Sequence, residues 1–126
     1  MKEDKHYGPH LTLDLKDCNR ITLDDLNSCY QFLYNLPDLI GMKRITQPHV
    51  FRYVDTADED CGITGYVVIA ESHISIHTYP NRGFAFSDVF SCRPFDIEKT
   101  KNYIIEYFES GDPIWNVVYR GKYFNV

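Results

Sequence analysis

Apolar and polar residues alternate near the start of the chain and then change to a helical period. In residues 10–15, "HLTLDL", three leucines alternate with polar residues, which is the period-two pattern of a half-buried strand. From Thr22 onward the apolar residues recur at helical spacing, with Thr22 as a suitable N-cap and Asp25 in the first turn. We expect this helix to end before Pro37, because the residue before a proline disfavours the helical conformation.

The middle of the chain predicts several strands. "MKRITQPHVFRYV" is rich in β-forming residues but contains Pro48, so it predicts a bent or edge strand from about Met42 to Val54. After the acidic connection "DTADEDCG", a strand runs from Ile63 to about Ile69. It continues or bends through "ESHISIHTY" and turns at "PNRG", before the next strand, "FAFSDVFSC".

The last third predicts a helix and a strand, and completes the fold class. Asp96 is a suitable N-cap for a helix that ends at "SGDP", and "IWNVVYRGKYF" predicts the last strand. The order β-α-β-β-β-β-α-β favours an α+β two-layer sandwich, with two helices on one face of a largely antiparallel sheet. The other face needs cover, and the many aromatic residues in strands predict that a second copy packs there, sheet on sheet, as a homodimer.

Length and charge narrow the possible partners. A chain of 126 residues fits one domain, 1–126. It has 13 lysines and arginines against 18 acidic residues and no dense basic cluster, so we expect no nucleic-acid partner. No apolar run is long enough to span a bilayer and the N-terminus has no apolar segment, so we expect a cytoplasmic protein with no membrane contact.

The cysteines predict no structural metal site. They form no CxxC pair and have no regular spacing with histidine, so a zinc site is poorly supported and we predict no metal. Cys29 falls on the apolar side of the first predicted helix, where we expect a reduced and buried thiol.

Residues 67–80, "VVIAESHISIHTYP", put reactive side chains into a strand. Alternation places Ser72 on one face of that strand and Glu71 and His77 on the other. A contact between Ser72 and His77 would therefore need a bend near residues 71–73. Taken alone, these residues are more readily explained as polar groups on a solvated sheet face.

A longer segment carries a specific resemblance. Residues 64–92, "TGYVVIAESHISIHTYPNRGFAFSDVFSC", resemble the pattern "SGVVVI(A/S)ESHLxIHTWPE...DVFTCG" of the prokaryotic S-adenosylmethionine decarboxylases. The opening "GPHLTLDLKDC" is similar to that family's "GRHLxxxxxxC". The resemblance implies a self-processing, pyruvoyl-dependent decarboxylase of polyamine biosynthesis.

The resemblance also implies how the cofactor forms. In this family the chain cuts itself between the residues that match Glu71 and Ser72, which would give residues 1–71 as the beta chain and 72–126 as the alpha chain. The serine oxygen attacks the preceding carbonyl, and β-elimination followed by hydrolysis leaves a covalent pyruvoyl group in place of Ser72. The implied cofactor is therefore made from the chain itself.

Three further residues match family positions with known roles. Thr64 stands where the family usually has the serine hydroxyl that assists processing, and His77 matches its processing histidine. The pyruvoyl group would bind the substrate amine as a Schiff base, and Cys92 matches the cysteine that protonates the α-carbon. A thiol with an unperturbed pKa of about 8.5 is mostly protonated at neutral pH, which suits that role.

Two departures from the pattern bear on the substrate. Asn81 replaces a glutamate attributed to binding the ribose hydroxyls, and Arg93 replaces a glycine. Tyr53 lies near the position of an aromatic residue that stacks on adenine.

We expect S-adenosylmethionine as the substrate. The alternative is a pyruvoyl-dependent ornithine or arginine decarboxylase, with the acidic "DTADED" segment attracting a cationic side chain. A third hypothesis is a non-catalytic homologue. It is disfavoured because the chain retains Glu71, Ser72, His77 and Cys92 together.

Overall fold

A computed structural model describes residues 6–70 and 72–124 and consists of one sheet with helices on one of its faces. Within these ranges the sheet has six strands, all pairing antiparallel in the order β2-β3-β4-β5-β1-β6. The strands are β1 (Gly8–Lys16), β2 (His49–Tyr53), β3 (Gly62–Ile69), β4 (Ser72–Tyr79), β5 (Phe84–Phe90) and β6 (Asp112–Arg120). The predicted α+β fold is confirmed.

The helices are α1 (Arg20–Leu23), α2 (Leu26–Leu39) and α3 (Ile97–Phe108). The prediction of a single first helix capped by Thr22 was wrong. Asn19 caps α1, and the Asp25 side chain accepts a hydrogen bond from the backbone N–H of Ser28 to cap α2. Each cap satisfies N–H groups that the helix itself leaves unpaired, so two short polar residues split the region into two helices.

The predicted end of the first helix was also wrong, whereas the cap of the last helix is confirmed. Pro37 lies in the last turn of α2, which continues to Leu39. Pro37 has no N–H to donate to the helix, but its carbonyl accepts a hydrogen bond from the Met42 N–H at 2.8 Å. The Asp96 side chain caps α3 by accepting from Lys99 N–H. No helix in the described ranges is long and apolar enough to cross a membrane.

The predicted strand from Met42 to Val54 is shorter in the structure. It begins only after Pro48, at His49, because proline cannot donate to the sheet. The segment before it instead extends the sheet at the end of β3, where Ile45 N–H donates to the Val68 carbonyl at 2.9 Å and Ala70 N–H donates to the Lys43 carbonyl at 3.0 Å.

The segment predicted to continue or bend after Ile69 is a tight hairpin. Ile69 and Ser72 are antiparallel partners across β3 and β4, so the chain reverses direction between them. Glu71 itself lies outside the described residues. The proposed site of self-cleavage therefore falls at a chain reversal.

The hydrophobic core lies between the sheet and the helices. It includes Leu11, Leu13 and Leu15 of β1, Phe32, Leu33 and Leu36 of α2, Ile74 and Ile76 of β4, and Ile104 and Phe108 of α3. The opposite face of the sheet, which we call the open face, carries exposed apolar side chains from four strands, namely Phe51, Tyr66, Phe86, Ile114 and Val118. Cover of this face by a second copy stays a prediction.

Candidate active site

Ser72 and Cys92 meet at the hairpin end of β4. Ser72 is the first residue of β4, and the residue is only 9% exposed, on the helix-covered face of the sheet. Its Oγ accepts a hydrogen bond from the backbone N–H of Cys92 at 3.0 Å. The two residues are 20 positions apart in sequence, so strand pairing brings them together.

The backbone around Cys92 is held by close contact with β1. Ser91 N–H donates to the Pro9 carbonyl at 3.2 Å. Gly8 permits this approach, because a Cβ at that position would lie 1.8 Å from the Ser91 carbonyl oxygen and 2.8 Å from the Cα of Cys92. Any side chain at Gly8 would therefore displace the backbone that donates to Ser72.

Cys92 also lines a cavity of about 220 Å³ with largely apolar walls. Tyr7, Phe95, Ile97 and Tyr119 contribute to its lining. Sequence reasoning missed these residues. Phe95 stands three positions after Cys92, and this short spacing could have indicated that it lies near the thiol. Tyr7 and Tyr119 reach the cavity only through the pairing of β1 with β6. The cavity can accept a planar or aliphatic group beside the thiol.

Thr64 and His77 form a second pair, on the open face. They are direct partners across β3 and β4, and the Thr64 Oγ1 lies 3.3 Å from the Nδ1 of His77. A hydroxyl at this distance can orient the imidazole ring and exchange a proton with it.

The two pairs do not meet within one chain. His77 follows Ser72 by five positions in the same strand, which separates them by about 16 Å at ~3.3 Å per residue. Ser72 faces the helices and His77 faces away from them. The chain does reverse just before Ser72, but that reversal cannot bring two residues of one regular strand together. We call Ser72 with Cys92 the Ser72 half-site, and Thr64 with His77 the His77 half-site.

Tyr53 and Asn81 lie at the same end of the sheet as the His77 half-site. The Tyr53 hydroxyl donates to an Asp55 carboxylate oxygen at 3.0 Å, and this hydrogen bond raises the pKa of Tyr53. The Asn81 side-chain nitrogen donates to the Asp58 carbonyl at 3.0 Å. The acidic segment thus folds against the turn that carries Asn81, and Asn81 helps to anchor it.

A cluster of His10, His73 and Asp88 on the open face was missed by sequence reasoning. The Nε2 atoms of His10 and His73 lie 2.6 and 3.4 Å from the same oxygen of Asp88, and Ser75 donates to the other oxygen. Burial acts to raise the pKa of Asp88, but the hydrogen bonds from Ser75 and His10 outweigh it, and the pKa falls below its ordinary value. The alternation of side chains along each strand could place these residues on one face of the sheet, but it does not show that they are neighbours.

The same cluster has the donor set of a metal site but is already hydrogen-bonded. One ligand atom from each of its three residues lies within 4.8 Å of the others. Arg120 approaches the Nδ1 of His10 at 3.3 Å. A guanidinium can only donate, so Nδ1 accepts and Nε2 carries the proton that is donated to Asp88.

The architecture matches that of a known decarboxylase with a two-layer α+β fold. The chain superposes on the crystal structure of the adenosylmethionine decarboxylase from Aquifex aeolicus with a TM-score of 0.80 and 28% sequence identity, covering 93% of this chain and 92% of that one. A family model described as S-adenosylmethionine decarboxylase matches residues 9–121. The chain belongs to the S-adenosylmethionine decarboxylase family.

Curated relatives agree with this assignment. The S-adenosylmethionine decarboxylase proenzyme of Thermodesulfovibrio yellowstonii is 41% identical over 108 residues, which cover 84% of this chain and 75% of that protein. The proenzyme of Methanococcus aeolicus is 38% identical over 89 residues, which cover 70% of each chain. The resemblance noted in the sequence is therefore confirmed over nearly the whole chain.

Proposed function

We propose that this chain is a proenzyme that cuts itself between Glu71 and Ser72 and then decarboxylates S-adenosylmethionine. Its membership of the family supports this function, and so does one structural observation. Ser72 is a buried serine directly after a hairpin turn, and its Oγ accepts from the Cys92 backbone. By the family's chemistry, the product serves as the aminopropyl donor of polyamine synthesis.

Self-cleavage would use the Ser72 hydroxyl as nucleophile. The oxygen attacks the carbonyl carbon of residue 71, forming an ester as the peptide C–N bond breaks and leaves a free amine on residue 72. Loss of the Cα proton of residue 72 then breaks the Cβ–O bond and releases the carboxylate of residue 71. Water replaces the amine nitrogen, which leaves as ammonia, and a pyruvoyl group remains.

The residues around Ser72 fit such a group. The precursor side chain is buried at a strand end, and Cys92 presents its backbone N–H to that side chain and lines the adjoining cavity. When present at residue 72, the pyruvoyl group would supply a ketone that can act as an electron sink for decarboxylation. Cys92 would deliver a proton to the α-carbon. Tyr7 and Phe95 would exclude water and pack against the adenosyl part.

We propose further that each complete site is shared between two copies in a homodimer. Within one chain, about 16 Å along β4 and opposite sheet faces separate Ser72 from His77, as estimated from strand geometry. The open face carries exposed apolar side chains suited to packing against another sheet. A two-fold axis that lies along this face and perpendicular to the strands would pair opposite ends of the two sheets, which would bring the Ser72 half-site of one copy near the His77 half-site of the other.

A complementation experiment tests the shared site. We expect Ser72→Ala and His77→Ala homodimers to stay uncut, because each lacks one half-site. Co-expression of the two variants with different tags should restore cleavage of the His77→Ala chain, since its Ser72 meets the intact His77 of the partner. The measurement is intact mass spectrometry of each tagged chain. Failure to cleave in verified mixed dimers would contradict the shared site.

The proposed activity is tested on the wild-type protein. Intact mass spectrometry should show two fragments that break between Glu71 and Ser72, the second with a blocked N-terminus. The same sample should release CO2 from S-adenosylmethionine and not from ornithine or arginine. Release from one of the basic amino acids would instead support the alternative decarboxylase. One uncut chain that is inert to all three would support a non-catalytic homologue.

A further inference from the structure

Ser91 lies between the end of β5 and Cys92, and it is fully buried. Its backbone N–H donates to the Pro9 carbonyl of β1 at 3.2 Å. Its side-chain Oγ accepts a hydrogen bond from the backbone N–H of Arg93, two residues further on, at 3.0 Å. A serine hydroxyl that binds the backbone two residues ahead stabilises a tight turn, here over residues 91–93.

The Ser91 hydroxyl also contacts a third part of the chain. It donates to the Sδ of Met42 at 3.5 Å, in the segment between α2 and β2. This contact directs the hydroxyl proton towards Met42 and leaves an oxygen lone pair for the Arg93 N–H. The 91–93 turn is therefore fixed to β1 through its backbone and to the segment before β2 through one hydroxyl.

Cys92 is the middle residue of this turn. Its N–H donates to the Ser72 Oγ at 3.0 Å, and the residue also lines the aromatic cavity. Because β5 ends at Phe90, the direction of both groups depends on how residues 91–93 are held. The hydrogen bond from Arg93 to Ser91 spans Cys92 and restricts the peptide groups on both sides of it.

We propose that the Ser91 hydroxyl is a positioning group for Cys92 in both steps of the reaction. The inference rests on the proposed self-cleavage and decarboxylation. In the first step, the turn keeps the Cys92 N–H directed at the Ser72 oxygen, and a donor there stabilises negative charge as that oxygen attacks. In the second step, the turn holds the thiol in the orientation that delivers a proton to the α-carbon.

Ser91→Ala tests this role, because it removes the acceptor in the turn and keeps nearly the same volume. We expect the rate of self-cleavage and kcat each to fall about tenfold, the size expected for the loss of one hydrogen bond. KM should stay near its wild-type value, since the described residues that line the cavity do not include Ser91. Intact mass spectrometry over time follows the cut, and CO2 release by fully cleaved protein gives kcat and KM.

Ser91→Thr is the rescue variant. It keeps the hydroxyl, and the flexible side chain of Met42 can accommodate one added methyl group, so both rates should return towards their wild-type values. Equal losses in Ser91→Ala and Ser91→Thr would overturn the proposal, because the hydroxyl would then not be the group that matters.

Ser87→Ala is the matched control. Ser87 is a buried serine of β5, and its Oγ donates to the Ser75 carbonyl at 2.8 Å. This variant also loses one hydrogen bond, so thermal unfolding should show a stability loss similar to that of Ser91→Ala, while cleavage and turnover keep their wild-type rates. A Ser91→Ala protein that cuts itself and turns over as fast as Ser87→Ala would refute the positioning role.

Hydrogen exchange of the Arg93 amide, followed by NMR, tests the turn without relying on activity. The wild-type amide should exchange slowly, and Ser91→Ala should make it exchange about tenfold faster, whereas Ser87→Ala should not. An unprotected Arg93 amide in the wild-type protein would contradict the turn itself. A wild-type chain that never cuts itself would remove both the proposed function and this role of Ser91. Normal cleavage and turnover in Ser91→Ala would remove the role alone.

Discussion

Substitution of Ser72 by alanine should leave one uncut chain that releases no CO2 from S-adenosylmethionine. The change removes the nucleophilic oxygen and with it the precursor of the cofactor. It also removes one hydrogen-bond acceptor for the Cys92 N–H, which costs only about 1 kcal/mol, so the protein should still fold. Intact mass spectrometry and a CO2-release assay on the purified variant measure both effects.

Ser28→Ala is the matched control for this experiment. Ser28 lies in the first turn of α2, where it contacts Asp25 and no residue of either half-site. We expect the control to cleave and to release CO2 like the wild-type protein. An active Ser72→Ala protein would refute the pyruvoyl mechanism.

Substitution of Cys92 by alanine should separate cleavage from turnover. The contact with Ser72 comes from the backbone N–H of residue 92, and alanine keeps that donor, so the chain should still cut itself. The thiol proton donor is lost. Because general acid catalysis typically contributes about 10²–10⁴-fold, kcat for CO2 release should fall by a factor in that range. The measurement is kcat on the fully cleaved variant.

Cys18→Ala controls for the loss of a thiol elsewhere. Cys18 is buried, and desolvation raises the pKa of its thiol to about 11, so it is chemically inert at neutral pH. This variant should cleave and turn over normally. Unchanged turnover in Cys92→Ala would remove that thiol from the role of proton donor.

Much of the local structure could be predicted from the sequence. Alternating leucines identified β1, and the helical spacing of apolar residues located most of α2 and α3. The errors occur where short polar residues or prolines act at element ends. Asn19 caps α1 and Asp25 caps α2, and the choice between one helix and two depends on which N–H groups each side chain reaches.

The candidate site was predicted only in part, and for a physical reason. The motif from Thr64 to Cys92 identified the family, and alternation correctly put Ser72 and His77 on opposite faces. Neither could identify the aromatic cavity, whose residues Tyr7 and Tyr119 come from opposite ends of the chain.

The sequence by itself determined the period of each element, the α+β class and the reactive groups at their places in the motif. These depend on interactions within a few residues, which local spacing and residue type encode. Only the tertiary structure decided that Ser72 lies against Cys92, that Thr64 lies against His77, and that the two half-sites stand apart. Strand register and the packing of distant segments set those distances, and they depend on the whole chain folding at once.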